Sequence, residues 1–216
     1  MACKYLTGRG IEIGAFHRPN ALPAHLEIDY TDHLLIDEQK KVMPEFMDYY
    51  CVFPSFVTDG CTLECITDCE YDFLVANHMI EHARNCFDAI LNHLRVIKPG
   101  GHLLYAVPDK NHTFDKPREM TTYEHLRDEL QNGGNENQLE HYLEYNRVVN
   151  QMAEPELSLA SKRDLETNTD IHWHVWDLNA FVEHLELANK DKLLNVEIVH
   201  AEENCNWEFN VVLRKK

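Results

Sequence analysis

"YDFLVANHMIEHARNCFDAILNHLRVIKPGGHLLYAVPD", residues 71–109, decides the fold. Its opening stretch, YDFLVANH (71–78), holds a continuous apolar run bounded by polar residues, the pattern of a parallel strand covered on both faces. Phe87, Ile90, Leu91 and Leu94 then recur at intervals of three and four, which predicts a helix. Pro99-Gly100-Gly101 stops that pattern, and HLLYAVPD (102–109) reads as the next strand. Strand, helix, turn and strand make a βαβ unit, whose crossover is right-handed.

Working outward, GIEIG (10–14) and HLEIDY (25–30) read as two earlier strands, and PSFVTDG (54–60) as a third. The stretch between, TDHLLIDEQKKVMPEFM (31–47), is polar and partly helical. Beyond the central unit, 109–176 is polar and helical in pieces, with Gly133-Gly134 as a break. LNAFVEHLELANK (178–190) restores an amphipathic helix, and LLNVEIVHA (193–201) with WEFNVVLRKK (207–216) reads as a closing pair of strands. The expectation is one α/β domain over 1–216, a mostly parallel sheet with a final antiparallel hairpin, and 109–176 as a lid or substrate-recognition insertion after the fifth strand.

Acidic residues outnumber basic ones 37 to 20, a formal charge of −17, so the surface repels nucleic-acid backbones. No apolar run approaches the roughly 20 residues that span a bilayer, and MACKYLTGRG lacks an apolar signal region, which points to a cytoplasmic protein without a membrane partner. Seven cysteines, an odd number, fit reduced thiols. Cys61, Cys65 and Cys69 would share a helix face, but turn formers interrupt the stretch and the spacing matches no zinc or iron–sulfur pattern.

In an open parallel sheet, ligands bind beyond the carboxyl ends of the strands, near the point where strand order reverses. EIGAFH, EIDYTD, VTDG, ANHMIEH and VPDKNH all end strands at that edge. Gly14 lacks a Cβ and lets backbone pass close beneath a ligand, while bulky Phe16 and basic His17 and Arg18 stand where a pyrophosphate cradle would need more glycine. Asp29 is placed to accept from a ribose diol, with Glu27 as the competitor and a solvated strand-end carboxylate as the plain alternative. Asp59-Gly60 would occupy the next strand end, where it could meet a purine amino group or simply make a turn.

Histidines crowd the same edge and the insertion: His78, His82, His112, His125, His172 and His174. Imidazole near neutral pH can take a proton or bind a divalent metal. His172 and His174 would share a side if HWHVW is extended, and they compete as substrate contacts, metal ligands or a structural pair. His82 reads as well as a helix-start packing residue. Asp109, His112 and Asp115 could supply ligands from one loop, Asp109 could orient a base, and Lys110, Lys116 and Arg118 allow simple ion pairing instead. Phe114, Tyr123, Trp173 and Trp176 could roof a small organic acceptor or pack a lid core.

The runs EIGAFHRP, EIDYTD and DGCTLECITDCEYDFLVANHMIEHARNCFDAILNHLRVIKPGGHLLYAVPD resemble the class I S-adenosylmethionine-dependent methyltransferases, above all through NHMIEH and RVIKPGG. DKNHTFDKPREMTTYEHL and IHWHVWDLNAF further resemble an uncharacterised bacterial-type branch of methyltransferase-like proteins, so the likeness spans nearly the whole chain. Phe16 and His17 depart from the family's glycine-richer first turn. The resemblance implies a Rossmann-like, seven-stranded, mostly parallel sheet and transfer of a methyl group from S-adenosylmethionine, with S-adenosylhomocysteine as product, to a small or medium-sized acceptor. It implies that Glu12, Gly14, Ala15 and Asn77 pass the methionine portion of the cofactor, Asp29 holds the ribose, and Asp59 with Gly60 lies by the adenine.

His17 or Arg18 could then meet the cofactor's carboxylate or the acceptor, and His78, His172, His174 and Asp109 are the candidates for positioning or deprotonating the acceptor. A noncatalytic cofactor-binding protein, a metal-assisted methyltransferase using the histidine/aspartate cluster, and an NAD-linked dehydrogenase are the alternatives. The glycine turn and the missing second nucleotide-binding half fit the dehydrogenase poorly. With its first strand beginning within ten residues, the chain leaves 109–176 as the economical cover for the cofactor, with a homodimer partner as another source of cover.

Overall fold

The computed structural model describes residues 2–134, 137–205 and 207–216, and of Ala2 and Cys3 the backbone alone. Positions 135 and 136 of the expected insertion and the Cys3 thiol therefore lie outside the described residues. After the short helix α1 (Ala2–Tyr5), β1 (Arg9–Ile13), β2 (Glu27–Asp32), α2 (Ile36–Val42) and β3 (Phe56–Val57) form the first half. β4 (Tyr71–Asn77), α3 (Cys86–Val96) and β5 (Ile97–Pro108) make the central crossover. α4 (Tyr123–Asn132), α5 (Gln138–Val148), α6 (Glu156–Thr167), α7 (Leu178–Lys190), β6 (Val196–Asn204) and β7 (Glu208–Lys215) complete the chain.

The seven strands lie in the order β3-β2-β1-β4-β5-β7-β6. β7 runs antiparallel to both neighbours, and the other six strands run parallel. Strand order reverses between β1 and β4, so the carboxyl ends of these two strands open a crevice.

Period-two alternation in β4 sends Leu74 and Ala76 to one face and Phe73 and Val75 to the other. The first face holds the main core, where Phe87, Ile90 and Leu94 of α3 and Phe181 and Leu185 of α7 meet Leu103, Tyr105 and Phe209 of the sheet. The second face is covered by Tyr5, Leu6, Leu22 and Leu26, from α1, the turn after it and the 14–26 connection, rather than by long helices. Asn85 caps α3 by accepting from the Asp88 amide at 3.0 Å. The helix ends three residues before Pro99, because Ile97 already turns extended and pairs with Tyr71; the Pro-Gly-Gly sequence lies inside the irregular start of β5 instead of between two elements.

In the insertion, Gly133 ends α4 at φ +78°, the left-handed geometry a side chain resists. α5 and the return segment share a small core of Tyr142, Ile171 and Trp173, with Leu165 of α6 packed against it. Asn146 donates to Asp164 Oδ2 at 2.8 Å and ties α5 to α6. A bridge between Asp109 and Trp176 brings the two ends of the insertion side by side, so the segment leaves and rejoins the sheet at one place. Among the described residues no helix is long and apolar enough to cross a membrane.

Candidate functional site

Two adjoining cavities, of about 530 and 550 Å³, open at the β1/β4 switch point and share Ile13, Gly14, Asp32, His33, Asn77 and His78 in their walls. Gly14 follows β1 at φ +69°, and a Cβ built there would meet nothing within 4 Å, so its backbone faces open space. Its amide donates to Thr31 O at 2.9 Å, which holds the β1 and β2 ends together. The Asn77 Oδ1 at the end of β4 is buried without a hydrogen-bond partner. A buried acceptor of that kind costs about 1–3 kcal/mol until a donor arrives, so it fits a ligand that brings an N–H or O–H group.

The first cavity continues along Glu12, Ala15, His17 and Arg18. Glu12 is 2% exposed and accepts from the Asn20 backbone and side chain at 3.0 and 2.8 Å. Burial raises its pKa more than those bonds lower it. The His17 ring stacks on Phe46 at 4.1 Å, and burial lowers its pKa. The second cavity runs past Asp59, Gly60, Met79 and His82 to Asn168 and Asp170, so the return of the insertion supplies part of its wall. Asp59 Oδ1 accepts from the amides of Cys61 and Thr62 at 2.8 and 3.0 Å. A Cβ at Gly60 would come within 2.9 Å of Ile13 Cγ2, so the position admits glycine for packing reasons. Burial pushes the neighbouring Cys61 thiol up to about 12, which removes it as a nucleophile at neutral pH.

His78 sits at φ +49° just after β4 and stacks on Trp207 at 4.9 Å. Its Nε2 lies 2.7 Å from Glu208 Oε2, and its Nδ1 lies 3.6 Å from Glu81 Oε1. Burial disfavours the cation, but hydrogen bonds and charge from Glu81 and Glu208 outweigh it and raise the pKa. Both ring nitrogens thus face carboxylates, which favour the cation, and only the neutral ring can take a proton, at a nitrogen whose carboxylate contact has opened. His82 is similarly raised: burial opposes its charge, but Asp170 at 2.9 Å and Glu81 prevail.

Several residues stand elsewhere than the sequence placed them. β2 runs to Asp32, two residues past the expected end, so Asp29 lies within the strand opposite Ile11 and not at the cleft. Its Oδ2 receives Arg9 Nη2 at 2.5 Å and the Tyr71 hydroxyl at 2.9 Å, and Asp32 occupies the strand end instead. Asp109 caps a turn through Asn111 N at 2.8 Å and pairs with Trp176, away from both cavities. His172 and His174 do not share a side, because 171–175 pairs with no strand and its side chains follow separate partners. His172 Nδ1 meets Asp115 Oδ2 at 2.6 Å behind His82, while His174 is wholly buried in the insertion against Glu129. Asp109, His112 and Asp115 form no ligand cluster among the described residues; Asp115 is taken by Arg118 and His172.

Sequence reasoning missed Asp32, His33, Trp207 and Glu208. Asp32 stood in the quoted EIDYTD run, whereas Trp207 and Glu208 come from the hairpin at the far end of the sequence and reach the cleft because β7 pairs with β5.

No family model and no curated protein matches the chain. Solved structures match in fold at low identity. A SAM-dependent methyltransferase, described as a possible histamine N-methyltransferase, from Thermotoga maritima is 13% identical, with 99% of this chain and 85% of that one covered at a TM-score of 0.52. A protein from Rhodobacter sphaeroides described as a putative Zn-dependent alcohol dehydrogenase is 14% identical, with 96% and 84% covered at 0.56. Likeness to proteins of such different descriptions supports a shared architecture and leaves activity to the site itself. Strand order, the antiparallel β7 and the switch-point cleft together give this chain the class I methyltransferase fold.

Proposed function

We propose that the protein transfers a methyl group from S-adenosylmethionine to a small or medium-sized organic acceptor in the switch-point cleft. The observation that carries this reading is the opposition of an open, left-handed Gly14 to an unpartnered, buried Asn77 carboxamide, with Asp32 beside them. S-adenosylmethionine supplies a sulfonium methyl group and carries no phosphate, so it needs none of the additional glycines that Phe16 and His17 displace.

In this reading Asn77 Oδ1 accepts from the α-ammonium of the donor's methionine portion, over the Gly14 and Ala15 backbone. Arg18, whose guanidinium makes no ion pair among the described residues, meets the carboxylate. Asp32 replaces Asp29 as the acceptor for the ribose diol. Asp59 uses its remaining lone pairs for the adenine amino group beside Gly60. His78, held between Glu81 and Glu208, positions the acceptor and, in its neutral form, receives the acceptor's proton at Nε2 when the Glu208 contact yields. The 109–176 insertion, already present in the wall through Asn168 and Asp170, serves as the cover.

Calorimetry with S-adenosylmethionine and S-adenosylhomocysteine tests the donor site, and one equivalent of each is expected to bind. Absence of binding to folded protein, after denaturing extraction has excluded a retained ligand, sinks the proposal. Incubation with methyl-labelled donor and a metabolite extract, read by mass spectrometry, then finds the acceptor and separates an enzyme from a mere binder. With that acceptor in hand, His78→Gln is expected to lower turnover about 100-fold or more while leaving S-adenosylhomocysteine affinity within about threefold. Full turnover in this variant removes His78 from the chemistry. Hydrogen exchange should show 109–176 gaining protection only when donor and acceptor are both bound; protection confined to 10–80 rejects the cover.

A further inference from the structure

Away from the cleft, three histidines and one glutamate from three parts of the insertion converge on a point. His125 and Glu129 lie one turn apart on α4, His141 comes from α5, and His174 comes from the return segment before α7. One ligand atom from each lies within 4.8 Å of all the others. Glu129 Oε1 stands 3.0 Å from His125 Nε2 and 3.2 Å from His141 Nε2, and Glu129 Oε2 stands 2.9 Å from His174 Nε2. None of the four residues lines either cavity of the donor cleft.

The His141 Nε2 contact with Glu129 Oε1 is a hydrogen bond, whereas the contacts of His125 and His174 with Glu129 are not aligned as such. His125 Nε2, Glu129 Oε2 and His174 Nε2 are buried with no aligned partner, although their facing atoms are 2.9–3.0 Å away, and His174 Nδ1 is buried and unpartnered as well. Buried nitrogens and oxygens this close together, without hydrogen bonds to one another, are the groups that a shared cation would satisfy. Four atoms around a tetrahedral ion with bonds of about 2.0–2.1 Å sit about 3.3 Å apart; the glutamate–histidine distances here are 2.9–3.2 Å, and the four ligand atoms all lie within 4.8 Å of one another. His174 is fully buried, and a neutral imidazole is the form that binds a metal.

We propose that His125, Glu129, His141 and His174 bind one Zn²⁺ ion that pins α4, α5 and the 171–176 segment together. Three imidazoles and a carboxylate form a ligand set suited to zinc, and four protein ligands leave the ion a structural rather than a substrate-activating role. A cavity of about 440 Å³ lined by His125, His141, Glu144 and Trp173 gives the ion a path from solvent. The proposal is independent of the methyl-transfer reading, since a protein that binds no S-adenosylmethionine would still carry these ligands.

The test uses the full chain, stripped with chelator and titrated with Co²⁺ and then Zn²⁺. One equivalent of Co²⁺ should give visible ligand-field bands, displaced by one equivalent of Zn²⁺, without the intense near-ultraviolet band of cysteine sulfur on cobalt. His174→Gln and Glu129→Gln should weaken binding about 100-fold or more, exceeding the loss typical of second-layer partners. His82→Gln should retain it, although Glu81, His82 and His172 form another close group. If the buried variants fail to fold, His125→Gln carries the same expectation from the half-buried face of α4. Absence of stoichiometric binding, a sulfur band, or undiminished affinity in the folded ligand variants overturns the site, as does loss in His82→Gln with retention in His125→Gln.

Discussion

Asp32→Ala is expected to raise the Kd for S-adenosylhomocysteine about 10- to 150-fold, whereas Asp29→Ala should leave it within about twofold. A charge-assisted contact to a ribose diol is worth roughly 1.5–3 kcal/mol, which sets the first figure. Asp32 lies in the wall of both cavities, and among the described residues its carboxylate meets His33, whose amide donates at 2.8 Å and whose exposed ring lies 2.9 Å away. Asp29 is instead a structural acceptor for Arg9, Tyr71 and, at 3.4 Å, Ser55. Its removal should show as a lower melting temperature. Equal loss of affinity in both variants, with folding retained, would move the ribose contact back to the interior of β2 and discard the Asp32 assignment.

Arg118→Met should produce the largest loss of stability outside the sheet, about 3–5 kcal/mol, because it strands a buried carboxylate. The Arg118 side chain is 3% exposed. Its guanidinium donates to Asp115 Oδ1 at 3.0 Å, Glu144 Oε2 at 2.9 Å, and the carbonyl oxygens of His172 at 2.7 Å and Trp173 at 3.4 Å. One side chain therefore joins the loop after β5, α5 and the return segment. In a chain of this size the loss corresponds to a fall in Tm of roughly 10 °C, and hydrogen exchange should rise first in 113–118 and 171–176. Asp115→Asn combined with Arg118→Met should cost less than the sum of the two single changes; strict additivity would mean that the pair is not coupled.

The same cluster gives the insertion an acid limit. Burial opposes ionisation of Asp115, but His172 and then Arg118 outweigh it and hold the carboxyl below its ordinary value of 3.8. A depressed carboxyl pKa adds stability that is complete above the unfolded value and is lost as the pH falls through the folded one. Acid should therefore loosen this segment below about pH 4, and the Asp115→Asn variant should lack that component of the transition.

Local patterning resolved the elements whose own residues determine them. α7 matches its expected span of 178–190, because an unbroken amphipathic repeat follows Asp177, which accepts from the Ala180 amide at 2.8 Å. β4 was legible for a similar reason, since burial on both faces leaves its centre, Phe73 to Ala76, continuously apolar. The end of β2 was not legible: Thr31 and Asp32 stay extended because they pair with Phe56 and Val57 and because Gly14 N reaches Thr31 O, which are long-range facts. The histidines failed differently. Alternation in HWHVW has meaning only when a strand has a partner, and here Trp173 N and His174 N both turn toward Glu81 O, at 2.8 and 3.4 Å. The site's composition was readable at the strand ends, but the choice between Asp29 and Asp32, and between His78 and His172, depended on register and on the fold of the insertion.

β7 lies between β5 and β6 although it is the last strand to be synthesised in this sequence. A growing chain that has passed β6 still has β5 with an open edge, and the Trp207 ring and Glu208 carboxylate that bracket His78 have yet to arrive. Threading β7 into that slot also brings Lys215 Nζ to the Leu94 and Ile97 carbonyl oxygens at 2.8 and 2.9 Å, closing the exposed end of α3. Such late, sequence-distant pairing slows folding, because loop-closure entropy is spent before the contacts are gained. A molecule in which β7 is not seated therefore lacks the Trp207 and Glu208 side of the cleft, and a ligand that touches that side distinguishes molecules with β7 in place from those without it.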